Sequence, residues 1–251
     1  MPSPMRHIIS TLICLVTSSA VAAAGVSKDF QAVYQLRVNS FVIGEAQVEL
    51  AAQADGRYLY SSRTHSTGLA RFFRTDKVVE SSLFKLHNKH LRPLEYHFDH
   101  TGTKKERHAY LKFDWNAGKV TNTVEGHTWE MEIPEGALDK LLVQLAVTMD
   151  LEAGKRELVY AIADGGKLKE YRFAVAGKET LRVPAGEFAT IKLERLRKDT
   201  DRTTYFWCAP SLGYLPVRIK QIEHEDGVTY LSELKQTSLG VQPAVTAPPG
   251  K

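Results

Sequence analysis

Cysteine is almost absent: 251 residues hold two, Cys14 and Cys208. Cys14 falls in an N-terminal leader, so a single thiol is left and no intramolecular disulfide can staple the chain. Stability has to come from a hydrophobic core, which a chain of this length can build. Long apolar runs are missing too. Ile8 to Val16 is the longest near the start, well short of the ~20 residues that span a bilayer, and no later segment is longer. Charge of one sign is not in excess. With 33 Lys and Arg against 29 Asp and Glu the formal charge is +4, too small to point to nucleic acid. Hydrophobic residues at 43% and charged residues at 25% exclude a collagen-like, coiled-coil or low-complexity chain.

Catalytic signatures are also lacking. Ala209-Pro210-Ser211-Leu212-Gly213 lacks the first glycine of a nucleophile elbow and puts proline before the serine. Asp164-Gly165-Gly166-Lys167 reads as a hairpin turn, without the glycine frame of a phosphate loop. Cys208 follows Phe206-Trp207; an aromatic setting raises a thiol pKa, against nucleophilic use, and suits a small core residue. Its functional alternative is an intermolecular disulfide. His87-x-x-His90 and His97-x-x-His100 have metal-like spacing, but residues three apart on a strand point to opposite faces. With His108, Glu95, Asp99 and Glu106 they form no recognised ligand set, so neither metal nor other cofactor is expected. The pairs Glu130/Glu132 and Glu223/Glu225 are too common a pattern to identify a glycosidase.

What is present begins with a secretory leader. Arg6 and His7 precede the apolar run, and Ala22 and Ala24 meet the small-residue cleavage rule, making residues 1–24 a signal peptide with Gly25 the new N-terminus. Ile13 before Cys14 is too large for lipid attachment. Loss of Arg6 lowers the charge from +4 to +3. The expectation is a soluble periplasmic protein with no transmembrane segment.

From Phe30 onward, period-two alternation dominates. Phe30, Ala32, Tyr34, Leu36 and Val38 share one strand face; Ala46, Val48 and Leu50 the next; Tyr58 and Tyr60 begin a third. Similar runs continue to Val228–Leu234, with turns such as Asn116-Ala117-Gly118 between them. The pattern predicts a mainly all-β chain: a large curved antiparallel sheet or partly open barrel of about a dozen strands. One segment differs. Leu138 to Asp150 has helical spacing, with Leu138, Leu141, Leu142, Leu145 and Met149 on one face, and predicts a single helix packed across the sheet or plugging an open end. Residues 25–239 are read as one domain and 240–251, rich in Pro and Ala, as a disordered tail.

Three stretches carry a resemblance: Gln31-Ala32-Val33-Tyr34 with Ile43-Gly44-Glu45-Ala46; Val183-Pro184-Ala185-Gly186-Glu187-Phe188-Ala189-Thr190; and Tyr205 to Ile219, with Ala209-Pro210-Ser211-Leu212-Gly213-Tyr214-Leu215-Pro216 inside it. Together they resemble the secreted bacterial family known as domain of unknown function 3108. The resemblance implies an exported β-rich protein and no catalytic residues. More loosely, a curved sheet with one helix is similar to the lipoprotein carriers of the periplasm, a likeness of architecture alone. The motifs also have plain structural readings: Pro184 and Gly186 fit turn positions, and Gly44 suits a bulge or close backbone approach.

Charge is unevenly spread. Arg71 to Lys112 is net basic and Phe113 to Glu152 net acidic. Neighbouring strands can pair such segments, or the basic one can meet an anionic head group. Arg71-Phe72-Phe73-Arg74 suits the edge of an amphiphile site, with Tyr58, Tyr60, Phe98 and Phe113 as candidates to line its interior. The leading expectation is a non-enzymatic protein that binds or carries a lipid or other amphiphile. The alternatives are an envelope scaffold docking a protein partner and a hydrolase with an unrecognised site. No nucleic acid is expected.

Overall fold

The computed structural model describes residues 29–68, 76–197 and 201–240. The strands are β1 (Phe30–Val38), β2 (Phe41–Ala52), β3 (Arg57–Ser66), β4 (Lys77–His87), β5 (His90–Thr101), β6 (Arg107–Asp114), β7 (Lys119–Val124), β8 (His127–Glu132), β9 (Leu138–Asp139), β10 (Leu158–Asp164), β11 (Lys167–Val183), β12 (Gly186–Leu196), β13 (Arg202–Ala209), β14 (Leu215–Glu223) and β15 (Thr229–Thr237); helix α1 (Leu142–Glu152) lies between β9 and β10. All fifteen strands form one sheet, in the order β8 back to β1, then β15 back to β9. Pairing is antiparallel throughout except for β9 with β10. β1 and β15 lie side by side at the centre, so each half of the chain builds one wing. The meander gives the sheet two ends: a lower one, where β1 begins, and an upper one, where it ends.

Local chemistry sets the turns. Asn88 and Lys89 (φ 50° and 65°) join β4 to β5 with both central residues left-handed, the geometry whose twist matches a hairpin. At Gly44 the register of β1 and β2 shifts, and a Cβ there would collide with the His65 carbonyl of β3, which confirms the close approach expected of this glycine.

The wings curl toward each other without joining by hydrogen bonds, leaving β8 and β9 as the sheet edges. The seam is bridged by a side chain: the Trp129 indole of β8 lies against Gly166 in the β10–β11 turn. Inside, α1 is covered on nearly all sides. Leu142, Val143, Leu145, Ala146, Val147, Thr148 and Leu151 are all buried, as in a helix enclosed by a core rather than laid on one.

One expectation needs correction. The helix starts later than predicted, because Leu138 and Asp139 pair with Ile162 and Ala163 of β10. Asp139 Oδ1 accepts the Leu141 and Leu142 N–H groups at 2.9 Å each, which satisfies donors at the entry to α1 and holds Asp139 outside the helix. The large curved sheet of about a dozen strands is as expected; the strands not anticipated are β9 and β4, whose inward residues, Val78, Glu80, Ser82 and Phe84, interrupt apolar alternation with polar groups.

Candidate functional site

Register assigns the inward face of each strand. Phe30, Ala32 and Tyr34 pair with Leu50, Val48 and Ala46, and Leu50 pairs with Tyr60, so these stand together in the lower interior. Phe84, Leu111, Val120, Ile162, Leu193, Val217 and Leu234, each no more than 1% exposed, complete this packed region around α1.

A cleft remains at the lower mouth. It holds about 250 Å³ between α1, the lower ends of β1–β3 and the turn Pro210–Leu212. Phe30, Leu50, Tyr60, Leu145, Met149 and Leu212 supply apolar walls; Gln144, Glu152 and Ser211 stand at its polar positions. The left-handed Gly213 (φ 62°) ends the turn that places Leu212. Tyr34 anchors the neighbouring strand by donating its hydroxyl to the Pro216 carbonyl at 2.8 Å. Burial pushes the Tyr60 phenol well above its ordinary range, so it stays neutral in the cleft wall. On the other flank of α1 a second hollow of about 210 Å³ is lined by Leu91, Leu138, Ala146 and Tyr160, and Met149 borders both.

The upper interior is different. A cleft of about 220 Å³ lies between β5–β7 and the β10–β11 turn, with Tyr96, Phe98, Lys140 and Asp164 in its lining. Lys140 Nζ is 2.9 Å from Glu80 Oε1 and 3.9 Å from the Phe98 ring centre. The buried Tyr96 hydroxyl has no hydrogen-bond partner among the described residues. Burial raises the Asp164 carboxyl, but the Lys169 ammonium at 2.7 Å, with Lys140 and the Tyr171 hydroxyl, outweighs it and holds the group below the usual carboxylate range.

Of the residues singled out from sequence, Tyr60 reaches the lower cleft and Phe98 the upper one. Tyr58 stacks on Phe84 with ring centres 5.4 Å apart, and Phe113 stacks on Trp115 at 5.9 Å. Arg71, Phe72, Phe73 and Arg74 lie outside the described residues. Sequence reasoning missed Phe30, Leu145, Met149 and Leu212 as cleft residues; it read Phe30, Leu145 and Met149 only as core-facing positions and Leu212 only as part of a turn.

The other motifs resolve structurally. Cys208 is fully buried, and burial pushes its thiol up to about 12, as expected of a core residue. His97 packs against the Tyr110 ring in a tilted contact, paired across β5 and β6, while His100 lies on the opposite, inward face of β5. Among the described residues no three His, Cys, Asp or Glu side chains converge as a metal site.

The profile of a family described as protein of unknown function (DUF3108) matches residues 33–231. No curated protein sequence matches the chain. Among solved structures it is similar to a beta-barrel-like protein of domain of unknown function DUF1849 from Brucella abortus, at 9% identity and a TM-score of 0.52, over 85% of this chain and 98% of that one. At that identity the likeness is one of fold. Weaker matches are a protein from Parabacteroides distasonis described as a candidate lipoprotein (10% identity, TM-score 0.37, 85% and 96% coverage) and the hypothetical lipoprotein YmcC from Escherichia coli (12%, 0.29, 82% and 84%).

Proposed function

The chain belongs to the DUF3108 family, and we propose that it is an exported, non-enzymatic periplasmic protein that holds an apolar or amphiphilic envelope molecule in the cleft beside α1. The observation that carries this reading is the cleft itself: an apolar hollow left open next to a helix that is otherwise enclosed. At about 250 Å³ it is smaller than the ~300–1,000 Å³ of most small-molecule sites, which suits an alkyl segment better than a bulky ring system. Met149 is an adaptable wall, since its unbranched thioether re-packs readily and it already borders hollows on both flanks of the helix.

The test is native mass spectrometry, with lipid extraction, of the protein purified from its own periplasm, beside Leu145→Trp, which fills the cleft. A reproducible lipid on the parent chain, lost from a folded Leu145→Trp, is the expected result. An apo mass for the parent, together with no uptake of a fluorescent fatty-acid probe, would overturn the reading.

A second reading, an envelope scaffold that docks a protein partner, is favoured by one patch. At the upper end Phe41, Val42 and Tyr230 are 76%, 46% and 44% exposed, and Phe41 and Tyr230 both flank Val38 in register. That reading requires a stoichiometric envelope protein, not lipid, to co-purify, and loss of that protein in Phe41→Ser.

A further inference from the structure

We propose that the upper rim, where β11, β12 and β13 meet, is a second binding site, one that takes a phosphate-type oxyanion on Arg195 and Arg202. Arg195 pairs with Phe173 on one side and Thr204 on the other; both are buried, so Arg195 points inward, two residues beyond the fully buried Leu193. Arg202 lies two residues before Thr204 and shares that face. The same inward rows that carry apolar side chains lower down thus end in guanidinium groups. Charge placed on a concave face needs a partner or water to offset its desolvation.

Both arginines line a groove of about 650 Å³ together with Asp164, Lys169, Tyr171 and Arg172. Two of its cations are closely neutralised, Lys169 by Asp164 at 2.7 Å and Arg172 by Glu170 at 2.6 Å. Arg197 reaches Asp201 at 3.5 Å. Arg202 approaches Asp201 and Glu223 only at 3.5 and 3.7 Å. Arg195 has no carboxylate within salt-bridge distance among the described residues; its guanidinium lies 3.5 Å from the Tyr171 ring centre. The Nε atoms of Arg195 and Arg202 are both buried without a hydrogen-bond acceptor among the described residues.

Among the described residues Arg195 thus carries its charge on the inward face without a carboxylate partner, and beside it the Arg202 Nε lacks an acceptor. The unpartnered Nε donors belong to arginine, whose planar fork matches the oxygens of a phosphate; Arg195 also hydrogen-bonds the Tyr171 hydroxyl, which helps to fix its orientation. A single phosphate group, on a free solute or on a phospholipid head group, supplies the missing charge and acceptors.

Two probes separate the sources: calorimetric titration with inorganic phosphate in low-salt buffer, and flotation with phosphatidylcholine vesicles with and without phosphatidylglycerol. The expected result is binding in at least one arm, weakened roughly tenfold or more by Arg195→Gln and by Arg202→Gln, and partly retained in Arg195→Lys. Binding of phosphate assigns the site to a solute, and binding of anionic vesicles alone assigns it to a head group. Thermal unfolding confirms that each variant is folded, and either glutamine variant suffices if the other is not. Binding in neither arm, or binding unchanged in the folded glutamine variants, overturns the proposal.

Discussion

The two ends of the interior are built from the same strands with different side chains. On β3 the inward row changes from Tyr58 and Tyr60 to Ser62, Thr64 and Ser66; on β12, from Ile191 and Leu193 to Arg195. On β13 and β14 the paired rows pass from Phe206 and Ile219 through Thr204 and Gln221 to Arg202 and Glu223. The lower half is close-packed and encloses a helix; the upper half is lined by small and charged groups around shallow clefts. Apolar packing and polar lining are thereby separated along the length of each strand. The lower core holds the sheet in shape, and the upper half presents polar groups whose arrangement depends on that shape.

The largest contrast comes from equivalent truncations in the two halves. Phe84 is fully buried beneath Tyr58, and Phe98 is only partly buried under Lys140. Phe84→Ala is expected to lower unfolding free energy by roughly 3–5 kcal/mol, the range for an aromatic removed from a packed core. Phe98→Ala should cost less than half as much, because less apolar surface returns to water. Urea denaturation of the two variants measures the difference; equal losses would mean that the upper half is packed as tightly as the lower.

Asp139 stands where the halves meet. Burial raises its carboxyl from 3.8 to about 6, against the opposing hydrogen bonds from Ser82 and from the Leu142 and Leu141 amides; the charge of Glu80 adds to the rise. A raised acid favours the folded state most below its unfolded pKa, and the benefit is lost as pH climbs through its folded pKa. This contribution should therefore be complete below about pH 4 and gone above about pH 6, a swing on the order of 3 kcal/mol. Asp139→Asn keeps an acceptor for both amides and cannot titrate. The parent-minus-variant difference in unfolding free energy, measured from pH 4 to 7, should fall with rising pH; a flat difference would show that Asp139 is charged throughout.

The division along the strands also decides what sequence reading can reach. Where inward residues are apolar, period two is plain, and β1, β2 and β6 stand out. β4 did not, because Glu80 and Ser82 occupy inward positions that a core strand would give to apolar groups. Cys208 as a core residue, Gly44 as a bulge or close approach and α1 as a single helix packed against the sheet follow from local chemistry alone. The clefts do not: Phe30, Leu145 and Leu212 are far apart in sequence, and only the fold brings them together. Arg195 and Arg202 were invisible for the same reason, since a strand-end arginine ordinarily reads as solvated.

The smallest of these effects concerns the seam between the wings. Gly166 has φ 71° and lies under the Trp129 ring, so a Cβ there meets both a left-handed backbone and the indole. Trp129 remains 36% exposed, so it has room to swing outward, which caps the penalty. Gly166→Ala is expected to cost about 1–3 kcal/mol, one part backbone strain and the other the displaced ring. Trp129→Ala removes the second part only. In a double-mutant cycle Gly166→Ala should therefore be less costly in the Trp129→Ala background, with a coupling energy of about 1 kcal/mol. Zero coupling would show that the indole does not rest on the turn in solution and that the sheet is held in its curve by the lower core alone.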